Sequence, residues 1–401
     1  MSSSYDIIIA GAGASGLFCA MTAARSGKRV LILEKQKEPA RKLRMAGGGK
    51  ANFGNREVRV ADYTGDNPAF AGPALKAFPA GRFAALLAEH DIPVEEREYG
   101  QLFCRRSAAD IIDLLRGECE ISGCRLVRES PVDSAEKSGG EDGGFRVFSS
   151  GREYHCTRLV LASGSPAWPL SGADDSGLRL ARQLGHRIIP PRPVLTPLIL
   201  PENSPLTELA GVSAPVRISC DVPDSPSFAY PLLFTHKGIS GPAALQISCY
   251  WRKGSRLSID FLPEENITAL LDAKESGKMT PKGLLSRLMP ERLATALLLS
   301  LPQPASATRK CAELSRAQRA AIHAAIHAYG VTPLRSAGMA RAEACAGGVD
   351  TTEIAPKSME SRLVPGLFFC GEIVDIAGRL GGYNLHWAWA SAYTAGLALG
   401  K

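Results

Sequence analysis

An α/β fold around a parallel sheet is what this sequence predicts, on three observations. First, an apolar run rich in β-branched residues, Tyr5–Ala10, leads into Gly11-Ala12-Gly13-Ala14-Ser15-Gly16 and then into a helical pattern. Buried parallel strands read as continuous apolar runs, and a glycine turn joins such a strand to the helix that follows it. Second, Glu34 ends another apolar run, Arg29–Glu34, 18 residues past Gly16. Third, strand–turn–helix character returns after Gly347, with an apolar strand over Pro365–Gly371, a turn at Gly381-Gly382 and a helix over Leu385–Leu399. The two ends of the chain are therefore expected to build one fold.

The elements between them follow in order. The first helix is expected over Ser15–Ser26, stopped by Gly27 just past its end. A Gly/Lys-rich stretch, Arg41–Asn55, precedes helices at Gly81–His90 and Ser107–Ser122. Strands at Cys124–Arg128 and Phe145–Phe148 flank a polar loop, Ser134–Gly144, and read as a small antiparallel piece. Arg158–Ala162 is a buried strand closed by Ser163-Gly164. Pro190, Pro191, Pro193 and Pro197 then mark a crossing between domains. Short strand-like runs such as Val216–Cys220 and Ser255–Phe261 give way to helical spacing in Arg292–Leu301 and Ala317–Tyr329. The expected division is 1–190 for the first α/β part, 191–262 for a β-rich insertion returning at about 331–346, 263–330 for a helical insertion, and 347–401 for the closing part.

Composition narrows the class. With 45% hydrophobic and 22% charged residues over 401 positions, the chain reads as globular and longer than one ordinary core. Its 47 Lys+Arg against 40 Asp+Glu leave a net charge of +7, which suits an anionic ligand and permits a nucleic-acid partner. The basic residues are scattered, so a merely solvated basic surface is the competing reading. None of the ten cysteines forms a CxxC pair. That spacing argues for buried free thiols over a zinc site, with disulfide chemistry as the alternative. No stretch approaches the roughly 18–20 apolar residues of a membrane span. The apolar run at the N-terminus leads straight into the glycine motif, so it reads as a strand and the expected location is the cytoplasm. Nothing in the sequence fixes an oligomeric state.

The glycine hexapeptide stands where a dinucleotide fingerprint must. Gly11 allows the tight turn, Gly13 the approach of a pyrophosphate to the backbone, and Gly16 close helix–strand packing. Ala12, Ala14 and Ser15 supply N–H groups at a helix N-terminus, which favours an anion. Glu34, with Lys35 beside it, is placed to accept a ribose 2′-hydroxyl and to repel a 2′-phosphate. The fingerprint alone does not separate FAD from NAD. The C-terminal segment does: Gly371-Glu372, Asp375 and Gly382-Tyr383-Asn384 form a returning strand and helix start of the kind that closes over a flavin. Ala162-Ser163-Gly164 is the matching strand end from mid-chain. A Rossmann-type FAD-binding fold follows. No second GxGxxG is present, so NAD(P)H, if it is the electron donor, is expected to dock transiently rather than in a domain of its own.

These segments resemble the HI0933-like (BaiN/RdsA-type) flavoproteins over essentially the whole chain. The resemblance rests on Arg41-Lys42, Gly47–Asn55, Leu161–Gly164, Gly172–Gly177, Leu233–Pro242, Gly347-Gly348-Val349, Glu353-Ile354, Met359–Ser361 and Gly371–Asn384. It implies a Rossmann FAD domain interrupted by a barrel-like and a helical insertion. It also implies chemistry that includes reduction of activated C=C bonds, uridine in ribosomal RNA among them, or oxidation of small amines. The family phrase GGGRCN is here Gly47-Gly48-Gly49-Lys50-Ala51-Asn52, and Gly54 replaces the usual threonine. A family role for that cysteine would be absent here or supplied elsewhere, with Cys104 as one substitute.

His236 is the acid/base candidate, because an imidazole titrates near neutrality; its competing role is to hold its loop by hydrogen bonds. Lys42, Lys50 and Asn52, with Gly48 and Gly49, are candidates to contact a phosphate or the flavin carbonyl, where a cation would favour the anionic reduced form. Tyr383 and Asn384 are candidate flavin contacts, Asn384 also as a helix cap. His323 and His327, four apart on a helix, lack a third ligand and read as structural, so no metal is expected. Trp387 and Trp389 read as packing for the closing helix. For an RNA substrate, Arg192, Arg217, Lys237, Arg252, Lys253 and Arg256 are candidate phosphate contacts. Three functions remain open: an NAD(P)H-driven C=C reductase, a small-amine oxidase, and a flavin-bound sensor without turnover.

Overall fold

The apolar run at the N-terminus does become a strand, Ser3–Ala10, and it lies inside a sheet, with Ile7, Ile8 and Ile9 sealed from solvent. The computed structural model describes residues 3–139, 143–303 and 308–401. Contacts divide the chain into one unit of Met1–Pro193 with Glu343–Lys401 and a second of Val194–Ala342.

In the first unit the parallel strands run Arg125–Val127, Val30–Leu33, Ser3–Ala10, Arg152–Leu161, Leu367–Phe369 across the sheet. The strand Arg152–Leu161 serves two partners. Residues 159–161 pair in parallel with Leu367–Phe369, and residues 152–156 pair antiparallel with Phe145–Ser149. The closing strand thus enters the same sheet as the N-terminal βαβ unit, with Arg152–Leu161 between them, so both ends of the chain build one fold as the sequence predicts. Two expectations need correction. Cys124–Arg128 is not part of an antiparallel piece: Arg125–Val127 extends the parallel sheet beside Val30–Leu33. Phe145–Ser149 instead lies antiparallel between Arg152–Leu161 and Val132–Lys137, and residues 134–137 of the latter fall in the expected loop. Of that strand only Ala135 is buried, so an edge strand wet on both faces carries no hydrophobic alternation to read. Residues 140–142 of the same expected loop lie outside the described residues.

Two helices cross the sheet in contact. The fingerprint helix, Ala14–Ala24, and the closing helix, Tyr383–Leu399, approach so closely that a Cβ on Gly396 would lie 2.5 Å from the Cβ of Thr22. Trp389 stacks on Phe83 at 4.2 Å, worth about 0.5–1.5 kcal/mol beyond its buried area. Its indole N–H donates to Phe53 O at 2.9 Å, and that of Trp387 donates to Gly371 O at 3.0 Å. Both tryptophans therefore pack the closing helix.

The second unit is built on an antiparallel sheet. Among the described residues its strands run Tyr329–Val331, Leu257–Asp260, Ser213–Cys220, Phe228–Thr235, Gly238–Ser240, Leu198–Ile199, Arg335–Ser336. The outer two strands are separated by only three residues of chain, 332–334. Four peptide steps reach roughly 14 Å, whereas a flat seven-stranded sheet would hold its edges roughly 29 Å apart. The sheet must therefore curl, which gives the barrel-like form. The helices Ile267–Asp272, Glu291–Leu299 and Arg316–His327 do not stand apart from it. Their Leu271, Leu293, Ile322 and Ile326 share one core with Phe234, Ile259 and Phe261. No helix among the described residues is long and apolar enough to cross a membrane.

Candidate functional site

Two of the three fingerprint glycines, Gly11 and Gly16, stand where no side chain fits. A Cβ on Gly16 would lie 1.9 Å from Gly11 O, and one on Gly11 would lie 2.7 Å from Ala162 O. Gly13 is different. It precedes the helix, caps it with no side chain, and a Cβ there would meet nothing within 4 Å. The N–H groups of Ala14 and Ser15 follow this open position in the first turn, at the positive end of a helix, where an anion is stabilised.

Glu34 is buried at the end of the second strand and is already at work. One carboxylate oxygen accepts Ala12 N–H at 2.6 Å and the other accepts Gln36 N–H at 2.8 Å. The carboxylate so ties the glycine turn to its strand and keeps a lone pair on each oxygen for a ribose hydroxyl. Lys35 instead turns to Asp174 at 2.7 Å. Beyond the strand end at Ala162, the Ser163 hydroxyl is buried without a hydrogen-bond partner among the described residues, and a Cβ on Gly164 would meet nothing within 4 Å. A buried hydroxyl without a partner costs about 1–3 kcal/mol.

The closing segment meets this turn. Gly371 has no side chain to hold it off Ser15, whose Oγ would lie 2.4 Å from a Cβ there. Its N–H donates to Ser391 Oγ at 2.9 Å. Glu372 receives Lys42 Nζ at 2.6 Å on one oxygen and Cys345 N–H at 3.0 Å on the other. Lys42 is thereby fixed as a partly buried cation on the first unit. Gly48 and Gly49 hold left-handed conformations with no neighbour within 3.4 Å of a Cβ, leaving their backbone accessible. Lys50 points to Glu95 at 3.5 Å. Asn52, turned so that its oxygen accepts Gly382 N–H at 3.1 Å, reaches the Gly54 and Leu102 carbonyls at 3.2 Å with its nitrogen.

Asp375 and Asn384 are committed to the backbone. Asp375 accepts N–H groups from Asp66 and Gly347, both at 2.8 Å, and burial pushes its carboxyl up. Asn384 does not cap its helix, because Gly382 occupies that place. Its amide pairs in both directions with Gly378, at 2.9 Å each way. Tyr383 receives the Tyr63 hydroxyl on its carbonyl at 3.1 Å. Asp62 and Arg379, paired at 3.2 Å, complete this corner, and no motif marks them because they lie 317 residues apart.

Ala51 is fully buried at φ +48. Cys104, the expected substitute for the family cysteine, donates its N–H to Lys50 O at 2.9 Å but is itself fully buried. Burial pushes its thiol up, so it is a packing residue and not a thiolate.

On the second unit His236 and Lys237 form the two-residue tip of a hairpin closed by Thr235 and Gly238. Thr235 Oγ1 holds the turn, donating to Gly238 O at 3.1 Å and accepting Lys237 N–H at 3.4 Å. His236 is exposed, and among the described residues it makes no hydrogen bond of its own. The loop-holding role therefore belongs to Thr235. Arg217 pairs with Glu264 at 3.3 Å, Arg252 donates to Tyr250 O at 2.8 Å, and Arg256 lies over Gly330, all three on the surface with Lys237 and Lys253. Arg192 is half-buried on the first unit. His327 bonds Asp260 at 2.9 Å with His323 beside it. No group of three or more metal-ligating side chains gathers among the described residues.

A parallel sheet with a glycine turn, an unpartnered buried serine and an open helix end fits a dinucleotide. Residues 5–398 match the family described as HI0933-like protein Rossmann domain. The chain belongs to the HI0933-like family. This HI0933-like protein has a Rossmann-type FAD-binding fold and is an FAD-dependent oxidoreductase. It is 40% identical to a ribosomal RNA dihydrouridine synthase of Haemophilus influenzae, with 100% of each chain covered. It is 38% identical to the protein of the same name in Escherichia coli, over 97% of this chain and 96% of that one. It is 31% identical to a 3-dehydro-bile acid delta(4,6)-reductase of Clostridium scindens, over 97% and 98%. Among solved structures, a flavocytochrome c3 fumarate reductase in an open conformation shares the fold at a TM-score of 0.51 and 14% identity, covering 100% of this chain and 78% of that one.

Proposed function

We propose that this protein is an NAD(P)H-driven reductase of an activated C=C bond and that its substrate is uridine in ribosomal RNA. The observation that carries the reading is end-to-end similarity, at 40% and 38%, to two proteins named ribosomal RNA dihydrouridine synthase. Dihydrouridine is uridine with hydrogen added across its pyrimidine C=C bond, and the bile-acid relative is also named as a reductase. Charge supports a polyanionic substrate: residues 194–342 hold 16 Lys+Arg against 11 Asp+Glu, so that +5 of the net +7 falls in the second unit.

FAD, when bound, supplies the hydride. The backbone of Gly11–Gly16 and the helix end at Ala14 and Ser15 hold its pyrophosphate, and Glu34 takes the ribose hydroxyls. Ser163 Oγ, with Ala162 and Gly164, gives it a further hydrogen bond. Lys42, aimed by Glu372, supplies positive charge, while Gly48, Gly49 and Asn52 shape the backbone beside it. Gly371, Gly382 and Tyr383 close the site, and Asp375 and Asn384 brace the closing segment. His236 donates the proton that the substrate carbon needs, from an imidazole that no group among the described residues hydrogen-bonds.

The test is anaerobic reduction of the yellow protein by NADH and by NADPH, followed by ribosomal RNA or air. The expected result is reduction by one nicotinamide and reoxidation by RNA faster than by air, with a rate that falls steeply as salt rises. Reoxidation indifferent to RNA refutes the substrate. No reduction by either nucleotide refutes the donor and favours the amine oxidase.

A further inference from the structure

Four of the ten cysteines meet at the fingerprint helix in two thiol–thiol pairs. Cys19, on the helix, bonds Cys370, and both are sealed from solvent. The other pair is Cys119 with Cys124. Their sulfurs also reach the helix backbone, Cys119 to Leu17 O at 3.4 Å and Cys124 to Ala20 O at 3.8 Å.

The backbone explains why Cys119 and Cys124 touch. The helix Ala108–Ile121 ends at Gly123, which is left-handed at φ +75. Gly123 N–H donates to Glu120 O, and Cys124 N–H donates to Cys119 O, both at 2.9 Å. Those two bonds make a Schellman cap, and the cap stacks the side chain just past the glycine on the one three positions inside the helix end. That contact is ordinarily apolar. Here both members are cysteine. Cys124 is half-buried, so a small oxidant reaches it, while Cys119 lies behind it.

We propose that Cys119 and Cys124 form a dithiol modification site that closes to a disulfide on exposure to hydrogen peroxide. The Cys124 thiolate attacks one peroxide oxygen, the O–O bond breaks, and hydroxide leaves, giving a sulfenic acid on Cys124. The Cys119 sulfur then attacks Cys124 Sγ, the S–O bond breaks, and water leaves with the Cys119 proton. Two electrons pass from the two sulfurs to one peroxide. The Cys119 thiol, by hydrogen-bonding Cys124, holds the Cys124 thiol below its ordinary pKa, which raises the thiolate fraction. The remaining thiols do not compete to form a bridge. Cys19–Cys370 has no exposure, and Cys220, also half-buried, has its thiol pushed up by burial.

The test uses the full-length flavoprotein, exposed briefly to peroxide, unfolded, and alkylated. Trypsin leaves both cysteines in one peptide, Gly117–Arg125, and a glutamate-specific protease then cuts between them at Glu120. The expected result is a peptide lighter by two hydrogens that stays whole after the second cut and separates on reduction. Free thiols fall by two from the ten of the reduced chain. In Cys119→Ser the bridge is lost and a sulfenic acid trappable by dimedone accumulates on Cys124; Cys19→Ser leaves the bridge intact. Two alkylated cysteines in this peptide, under exposure that oxidises Cys220, overturn the proposal. A Cys19–Cys370 bridge in its place overturns it equally.

Discussion

Gly13→Ala separates holding the cofactor from holding the fold. Gly13 sits at φ −76, which alanine adopts freely, and a Cβ there meets no atom within 4 Å. The apo protein loses only a little helix capping, on the order of 0.5–1 kcal/mol. At roughly 2–4 °C per kcal/mol for a unit of this size, its Tm falls by no more than about 4 °C. The same methyl group occupies the space beside the helix N–H groups. Displacing a phosphate from one charge-assisted bond costs about 1.5–3 kcal/mol, so Kd for FAD rises roughly 10–100-fold. Gly16→Ala is the contrast, since its Cβ would lie 1.9 Å from Gly11 O. Overpacking of that kind costs about 1–3 kcal/mol and lowers the apo Tm by about 2–12 °C. The assay is thermal melting of both apo variants beside flavin-fluorescence titration. If Gly13→Ala binds FAD like the wild type, or melts as low as Gly16→Ala, the open space is not the pyrophosphate site.

Three further outcomes are expected. Burial pushes His386, in the closing helix with Nε2 donating to Phe78 O, down to about 4. Unfolding lets it bind a proton at its ordinary value of ~6.5. Its stabilisation is therefore complete above that pH and is lost as the pH falls toward the folded value, by roughly 3 kcal/mol in all. Denaturant midpoints from pH 7 to 4.5 should show the slope, and His386→Gln should flatten it. His236→Asn is expected to cut the rate of substrate reduction by roughly 10²–10³-fold while the melting temperature stays put, because the residue is exposed and Thr235 holds its turn. Lys42→Met removes the cation held by Glu372 at 2.6 Å. A redox titration should find the flavin midpoint shifted negative, and stopped-flow should find reduction by nicotinamide slower by roughly tenfold, the worth of one charge-assisted bond.

The parts of the fold legible in the sequence are those where local pattern and long-range role coincide. Tyr5–Ala10, the glycine turn and the run ending at Glu34 announce the βαβ unit, because each residue acts on neighbours within that unit. Val132–Lys137 was not legible, since an edge strand wet on both faces has no apolar period. Nor was the bracing by Asp375, whose partners Asp66 and Gly347 are set only by tertiary contact. Asn384 reads as a helix cap from its position, yet Gly382 takes that place and Asn384 fastens Gly378 instead. The cysteine pair at Cys119 and Cys124 lay in plain view around Ser122-Gly123. It needed the capping geometry, not the spacing, to give it meaning.

The interleaving of the two units sets an order on biosynthesis. The second unit is one continuous stretch, Val194–Ala342, so it can finish folding while the ribosome is still translating. The first unit cannot. Its sheet lacks Leu367–Phe369, and its glycine turn lacks Gly371 and the closing helix, until the last part of the chain has emerged. A nascent chain stalled once residue 342 has emerged from the ribosome should already protect the second unit from protease while capturing no flavin. Cofactor capture then becomes the closing event of synthesis, and a cell short of riboflavin would accumulate full-length chains whose flavin site is complete and empty.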